Sequence, residues 1–303
     1  MPPFARCQIP AACRSKRFFV VQNSCRWELE FKEKPTSQTN GLAVKTSRHP
    51  RATQARLTQA FTVTNASTLY SFVLPCPSEQ VLPGVIWGSH DQLFTPAYWV
   101  VQVWLKERTG DSIPNRFGET LIEETAACIL GGYGIKAEVG VAAFKKLREE
   151  GLLSGKRVTE QEILNALSEP LLVGGRTVKY RFIKQRSRYL SGTINGILAD
   201  EPPRTDIELR NWLLKFPGVG FKTASWITRN WKESDAVAII DVHLLRAGQI
   251  IGLFGRQKPS TDYLELEELF LEFARSLSVR ASVLDAIIWF QMRMWGNLAR
   301  RTA

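Results

Sequence analysis

Seven residues constrain this chain more than any others: Phe216-Pro217-Gly218-Val219-Gly220-Phe221-Lys222. Before them, Ile207, Leu209, Trp212 and Leu213 recur at helical spacing; after them, Ala224, Trp226 and Ile227 start a second helical pattern. Pro217 ends the first helix, because a proline lacks an N–H and restricts the residue before it. Gly218 and Gly220 are expected to take positive φ in the tight turn between the helices. A link this short leaves backbone N–H groups pointing outward at the start of the second helix. With the helix dipole behind them, such groups form a phosphate site.

The charge of the chain fits that site. The 303 residues carry a formal net charge of +11, which suits a polyanionic partner, nucleic acid first. A membrane surface is the weaker alternative, since no strongly basic amphipathic helix with a broad apolar face is present. No apolar run reaches the length of a membrane span. The charge is uneven: residues 1–60 hold eleven basic side chains against three acidic ones. This segment lacks sustained periodicity and reads as a poorly ordered extension, with one or two strands over 18–31. It serves as a solvated extension, a DNA-binding arm or an organelle transit peptide; without a transit role, the location is the cytoplasm or nucleoid. Cys7, Cys13, Cys25, Cys76 and Cys128 form no CxxC pair, which argues against zinc and iron–sulfur ligation and for reduced thiols inside a cell.

Residues 61–94 read as short strands and irregular cover, punctuated by Pro75, Pro77, Pro83 and Gly84. From Thr95 as N-cap and Pro96 as first helical residue the chain turns helical, and residues 98–105 are apolar nearly all round, so this helix should be buried. Helices are expected at Glu119–Leu130, Ala137–Glu150 and Glu160–Leu167. Gly174-Gly175 breaks the pattern before a basic helix over Lys179–Leu198 carrying Arg181, Lys184, Arg186 and Arg188. A helix follows Asp241 to about Ile251, a loop covers Gly255–Thr261, and two more helices close the chain. The fold class is therefore mainly α.

The hairpin is followed by two chemically pointed residues. Lys222 falls in the first turn of the second helix, and Asp241 comes nineteen residues later, after the apolar run Ala236-Val237-Ala238-Ile239-Ile240. With FPGVGFKTAS and AIIDVHLLRAG in that order, the chain resembles the helix-hairpin-helix-GPD DNA glycosylases with lyase activity, and the interval resembles their 8-oxoguanine branch. The resemblance implies a two-lobed helical domain over 95–303, with lobes at about 95–200 and 205–280 and a final helix, 281–298, across the cleft. It implies that Lys222 attacks C1′ of the sugar as a Schiff-base nucleophile and that Asp241 stabilises the positive charge developing there. Asp241 also reads as the N-cap of the helix after it, and the two roles are compatible. The implied partner is duplex DNA containing a modified base, bound by a monomer, and Gly218, Val219, Gly220, His243 and Tyr133 are the expected DNA contacts. The family further implies a monovalent cation on the hairpin backbone at Phe216 and Val219. The iron–sulfur branch is excluded, because no cysteine follows Cys128.

The base pocket is the least determined part. Asp285 and Trp289 are four apart on the last helix and share a face. One reading is an exposed Asp beside a core Trp. The other is a pocket in which Trp289 stacks on an extruded base and Asp285 accepts its N–H groups, as the resemblance implies. Trp226, one turn after Lys222, stands where eukaryotic 8-oxoguanine glycosylases have a cysteine that packs on the base, so the pocket wall differs. An acceptor at Asp285 suits an 8-oxoguanine-type purine, and equally a modified cytosine, including a sugar-bearing one in phage DNA removed as a defence. The glycines at 131, 132 and 134 would leave room for such a base. A non-catalytic DNA-binding protein using the hairpin only for phosphates is the alternative from another class.

Overall fold

The computed structural model describes residues 58–65, 68–109, 116–132 and 134–295. The basic extension, with its expected strands, arm or transit role, lies outside the described residues apart from 58–60, as do Tyr133 and the last residues of the expected final helix. The chain divides into two compact units, one covering residues 60–74 of the described chain and the other residues 58–59 and 75 onward.

The described part of the first unit is the hairpin of β1 (Gln59–Asn65, from its second residue) and β2 (Thr68–Leu74), in which the Thr62 and Ser71 hydroxyls meet at 3.4 Å. The second begins with a small antiparallel pair, β3 (Gln80–Leu82) and β4 (Val85–Ile86), turned at Gly84 with φ of 81°. Gln59 ties the segment after it: its amide donates to the Pro75 and Gly88 carbonyls at 3.0 and 2.9 Å and accepts from His90 N–H at 2.9 Å. Helix α1 (Pro96–Thr109) starts where proline and threonine place it, with Thr95 Oγ1 accepting from Tyr98 N–H at 3.1 Å. Trp99 and Val103 are fully buried, as its apolar circumference requires.

Among the described residues, eight of the other helices follow the sequence closely: α2 (Leu121–Leu130), α3 (Ala137–Glu149), α4 (Glu160–Ser168), α6 (Asp206–Leu213), α7 (Phe221–Lys232), α8 (Val242–Ile250), α9 (Tyr263–Ser276) and α10 (Ala281–Met294). The ninth, α5 (Ile183–Ala199), starts four residues later than its charge pattern suggests. The cause is a hairpin of β5 (Leu171–Val173) and β6 (Arg176–Val178), whose two-residue loop Gly174-Gly175 takes φ of 54° and 75°. Two glycines at positive φ suit the two-residue loop of such a hairpin and make a turn rather than a mere helix break. One apolar cluster runs from Leu121 to Ile227, through α2–α7. Helix α1 packs on α10, which also packs on α8 and α9. No helix among the described residues is long and apolar enough to cross a membrane.

Candidate active site

The hairpin owes its place to α5. Gly192 and Gly196 lie one turn apart on that helix, and a methyl group on them would come within 2.7 Å of Pro217 and 2.5 Å of Phe216 respectively. Two helix-interior glycines, each costing about 1 kcal/mol relative to alanine, thus form a slot for the turn. Thr193 adds a hydrogen bond from Oγ1 to the Pro217 carbonyl at 3.0 Å. The sequence carries this signal as paired glycines four apart, but the charges of α5 draw attention away from it. Of the basic residues read onto this helix, Lys179 and Arg181 precede it, Lys184 and Arg188 are exposed on it, and Arg186 is half-buried.

Within the turn, Gly218 has φ of 80° and lies against Tyr189, so its glycine is required twice over. Gly220 differs from expectation. Its φ is −95°, open to any residue, and space lies beside it. Val219 buries its side chain and donates its N–H to the Phe216 carbonyl at 3.3 Å, so that N–H faces the turn. Gly220 is the N-cap of α7 and has no side chain to cap the helix. The first-turn amides of α7 therefore have no carbonyl one turn back to bond.

Lys222 sits in that first turn, half-buried. Burial pushes its ammonium below the ordinary lysine value, Arg186 pushes the same way, and the Asp241 carboxylate opposes both. Asp241 is the N-cap of α8: Oδ1 accepts from His243 N–H at 2.8 Å and Leu244 N–H at 2.9 Å, which fixes the carboxylate and leaves Oδ2 for other work. The structure thus brings Lys222 and Asp241 within each other's field from two different helix N-termini.

Trp226 forms a wall beside the lysine. Its ring centroid lies 5.9 Å from Lys222 Nζ, and Phe117 meets it edge-on at 6.3 Å. A methyl group on Gly131 would come within 3.1 Å of that ring, one on Gly132 within 3.4 Å of Lys222 Nζ, and one on Gly134 within 3.2 Å of Phe182. Trp226, Lys222 and Phe182 are thus the nearest side chains to these three glycines. Sequence reasoning missed Phe117 and its anchor, Glu124. That buried carboxylate accepts from Phe117 and Gly118 N–H at 2.6 and 3.0 Å and from Asn230 Nδ2 at 2.6 Å. Cys128 also donates to it, and burial pushes that thiol well above the ordinary value.

The last helix departs from the reading of an exposed Asp beside a core Trp. Asp285 is buried, with 3% of its surface exposed, and Trp289 is the half-buried partner. Asp285 Oδ2 accepts from Ile239 N–H at 3.0 Å, and desolvation pushes its carboxyl up to about 6, against the pull of Arg229. Trp289 faces His243 edge-on at 6.2 Å and Arg293 at 5.3 Å. Burial pushes the His243 imidazole below its ordinary value, and its Nδ1 is buried with no partner. Among the described residues, no group of three or more His, Cys, Asp or Glu side chains is arranged to hold a metal ion.

Residues 111–279 match the family model Ogg-HhH, described as 8-oxoguanine DNA glycosylase. The chain is similar to the 8-oxoguanine DNA glycosylase/AP lyase of Metallosphaera sedula, at 34% identity over 116 residues, covering 37% of this chain and 57% of that protein. It is also similar to the protein of that name from Methanocaldococcus jannaschii, at 26% identity over 188 residues, covering 59% and 83%. The chain spans 57% and 58% of the length of the Metallosphaera sedula and Sulfolobus acidocaldarius relatives. In fold, it superposes on the crystal structure of the 8-oxoguanine DNA glycosylase of Thermotoga maritima with a TM-score of 0.50 at 21% identity, covering 64% of this chain and 95% of that one.

Proposed function

Because this chain belongs to the Ogg-HhH family of 8-oxoguanine DNA glycosylases, we propose that it extrudes a modified base from duplex DNA, excises it and then cleaves the strand as an AP lyase. The observation that carries this is the pairing of a half-buried lysine, its proton loosened, with a carboxylate locked as a helix N-cap. As the C1′–N bond lengthens, positive charge develops on the sugar, and the fixed Asp241 carboxylate stabilises it without reorganising. The base leaves with the bonding electron pair and takes up a proton. The neutral Lys222 amine attacks C1′, and loss of a proton from nitrogen with opening of the sugar ring gives the Schiff base. That iminium acidifies the adjacent carbon, and β-elimination expels the 3′ phosphate. Burial lowers the cost of the neutral amine, so the site tunes the lysine for attack.

DNA backbone contacts fall to the hairpin, through Gly218, Gly220 and the first-turn amides of α7, with His243 beside the second helix N-terminus. Trp289 and Trp226 are the stacking surfaces proposed for the extruded base. A monovalent cation fits the donor set at the hairpin, since neutral backbone carbonyls such as those of Phe216 and Val219 are the ligands it takes; it would add positive charge beside a phosphate. The protein is proposed to act as a monomer, without redox cofactor, zinc or iron–sulfur cluster.

An 8-oxoguanine-type purine is the leading substrate. The test is a panel of duplexes, each with one modified base, incubated with the protein and scored for strand scission before and after alkali. Scission at 8-oxoguanine supports the reading, and scission confined to a modified cytosine would reassign the substrate. No scission on any duplex, with binding intact, would leave a DNA-binding protein and no enzyme.

A further inference from the structure

Phe117 stands on the short run that leads into α2, and that run is tied to α7 along its length. The Arg116 guanidinium lies 3.6 Å over the Trp231 ring. The Phe117 ring meets Trp226 edge-on, with centroids 6.3 Å apart and planes at 78°. Phe117 and Gly118 N–H both donate to Glu124 Oε2, while Glu124 Oε1 takes Asn230 Nδ2 at 2.6 Å. Glu124 is wholly buried, so its carboxylate joins the run to the helix that carries Lys222 and Trp226. Glu119 N–H donates to Glu123 at 2.7 Å, and a methyl group on Gly118 would come within 2.4 Å of the Glu123 side chain. Three successive amides are thus held by two carboxylates, in charge-assisted bonds that fix the backbone under Phe117. Its ring nevertheless remains 40% exposed.

We propose that Phe117 is a positioning residue that holds the Trp226 indole beside Lys222, and that the two rings together limit the size of the base the site accepts. The inference rests on the glycosylase reading, in which Trp226 lines the pocket for the extruded base. Lys222 bonds to C1′, the carbon that carries the base, and its Nζ lies 5.9 Å from the Trp226 ring centroid. A wall at Trp226 therefore borders a base on that carbon. An indole alone can change rotamer, but this one is confined from two directions. Gly131 lies so close that an added methyl would come within 3.1 Å of the ring, and Phe117 meets it from the run before α2. Edge-to-face rings at this spacing hold their mutual geometry, and the fixed backbone of Phe117 keeps its ring from retreating. The wall yields little to a bulky substituent. It favours a base altered by an atom or two, such as an 8-oxoguanine-type purine, over a sugar-bearing cytosine.

The experiment compares wild type, Phe117→Ala, Phe117→Tyr, Trp226→Ala and Phe117→Ala in the Trp226→Ala background. It measures single-turnover base release on duplexes carrying 8-oxoguanine or progressively bulkier modified bases, up to a sugar-bearing cytosine, and borohydride trapping on an abasic duplex. Fluorine NMR of protein labelled with 5-fluorotryptophan follows the indole, with Trp226 assigned by the resonance lost in Trp226→Ala. Phe117→Ala should raise the rate ratio of bulky to small bases about 3- to 10-fold, the worth of one aromatic pair. Phe117→Tyr keeps the ring edge and should stay within about twofold of wild type. Trapping on the abasic duplex, which holds no base, should stay within about threefold in Phe117→Ala. Without Trp226, Phe117→Ala should add no further change in the ratio. The Trp226 resonance should shift in Phe117→Ala and not in Phe117→Tyr. Phe117→Leu, which keeps apolar bulk without the ring, repeats each comparison if the alanine variant does not fold. The proposal is overturned if every base slows by one factor, if trapping falls as far as release, if the change in ratio persists without Trp226, or if the Trp226 resonance does not move. Wild type releasing the sugar-bearing cytosine faster than 8-oxoguanine would overturn the size limit and leave the glycosylase reading standing. Should wild type release no base at all, the proposed function fails and the size limit with it, while the fluorine resonance still decides whether Phe117 holds Trp226.

Discussion

The two halves of the site are built in opposite ways. The hairpin that carries Lys222 is shaped by its own residues: a proline that stops one helix, a glycine at positive φ and an uncapped helix start. The approach to Asp241 has almost no local instruction. Residues 236–240 are an apolar run that could join any core, and they are fixed by Glu267, Tyr263 and Asp285 from 23 or more positions further on. Lys222 is therefore placed by nearby sequence, while the backbone leading into Asp241 is held by α9 and α10. Substitutions should respect that division, since damage to the hairpin should act through backbone strain and damage to the approach through orphaned hydrogen bonds.

The largest effect is expected at the carboxylate itself. Asp241→Asn keeps an oxygen to cap α8 but removes the charge, so base release should fall about 100- to 1,000-fold with duplex affinity nearly unchanged. Equal losses in binding and rate would reduce Asp241 to a helix cap. The same variant has a smaller and opposite signature on an abasic duplex. Lys222 is held below its ordinary value by burial, so borohydride trapping should rise with pH and level off before the ordinary lysine range is reached. The Asp241 charge holds the proton on Lys222, so its removal should move that rise to lower pH. A shift to higher pH would mean the two groups do not face each other.

The next effects separate the two kinds of encoding. Gly218→Ala forces alanine into positive φ against the Tyr189 ring, and the backbone alone should cost about 1–3 kcal/mol in thermal or denaturant unfolding. Gly220→Ala meets neither obstacle and should stay within about 0.5 kcal/mol. If Gly220→Ala weakens duplex binding without touching stability, the space beside it is where a phosphate lies. On the other half, Tyr263→Phe removes one hydroxyl that serves both Ala238 and Ile240 and should cost about 1–3 kcal/mol. A neutral result there would show that the approach to Asp241 is held by apolar packing alone.

This division also explains what the sequence made legible. Pro96, Thr95, Pro217, Gly218 and the N-cap at Asp241 act on their own neighbours, so each was readable from type and spacing. The glycine pair of α5 was readable in principle, because two glycines a turn apart inside a helix carry a cost that packing must repay. Burial of Asp285 was half readable: Ala281, Leu284, Ile288 and Met292 define the buried stripe of α10, and Asp285 falls within it. Its partner was not readable, because a backbone N–H 46 positions earlier leaves no mark on side-chain pattern. Glu124 is the same case, a carboxylate on an apolar helix spent on the amides before α2 and on Asn230.

The central claim is that Lys222 is the nucleophile, and the most direct measurement is borohydride trapping on a duplex carrying the base that the wild-type protein releases. The wild type should give a covalent protein–DNA adduct whose digested peptide carries the sugar on Lys222. Lys222→Gln, which removes the amine but keeps a polar side chain in the first turn of α7, should give none while still binding the duplex. An adduct that persists in Lys222→Gln, or one mapped to another residue, would contradict the account.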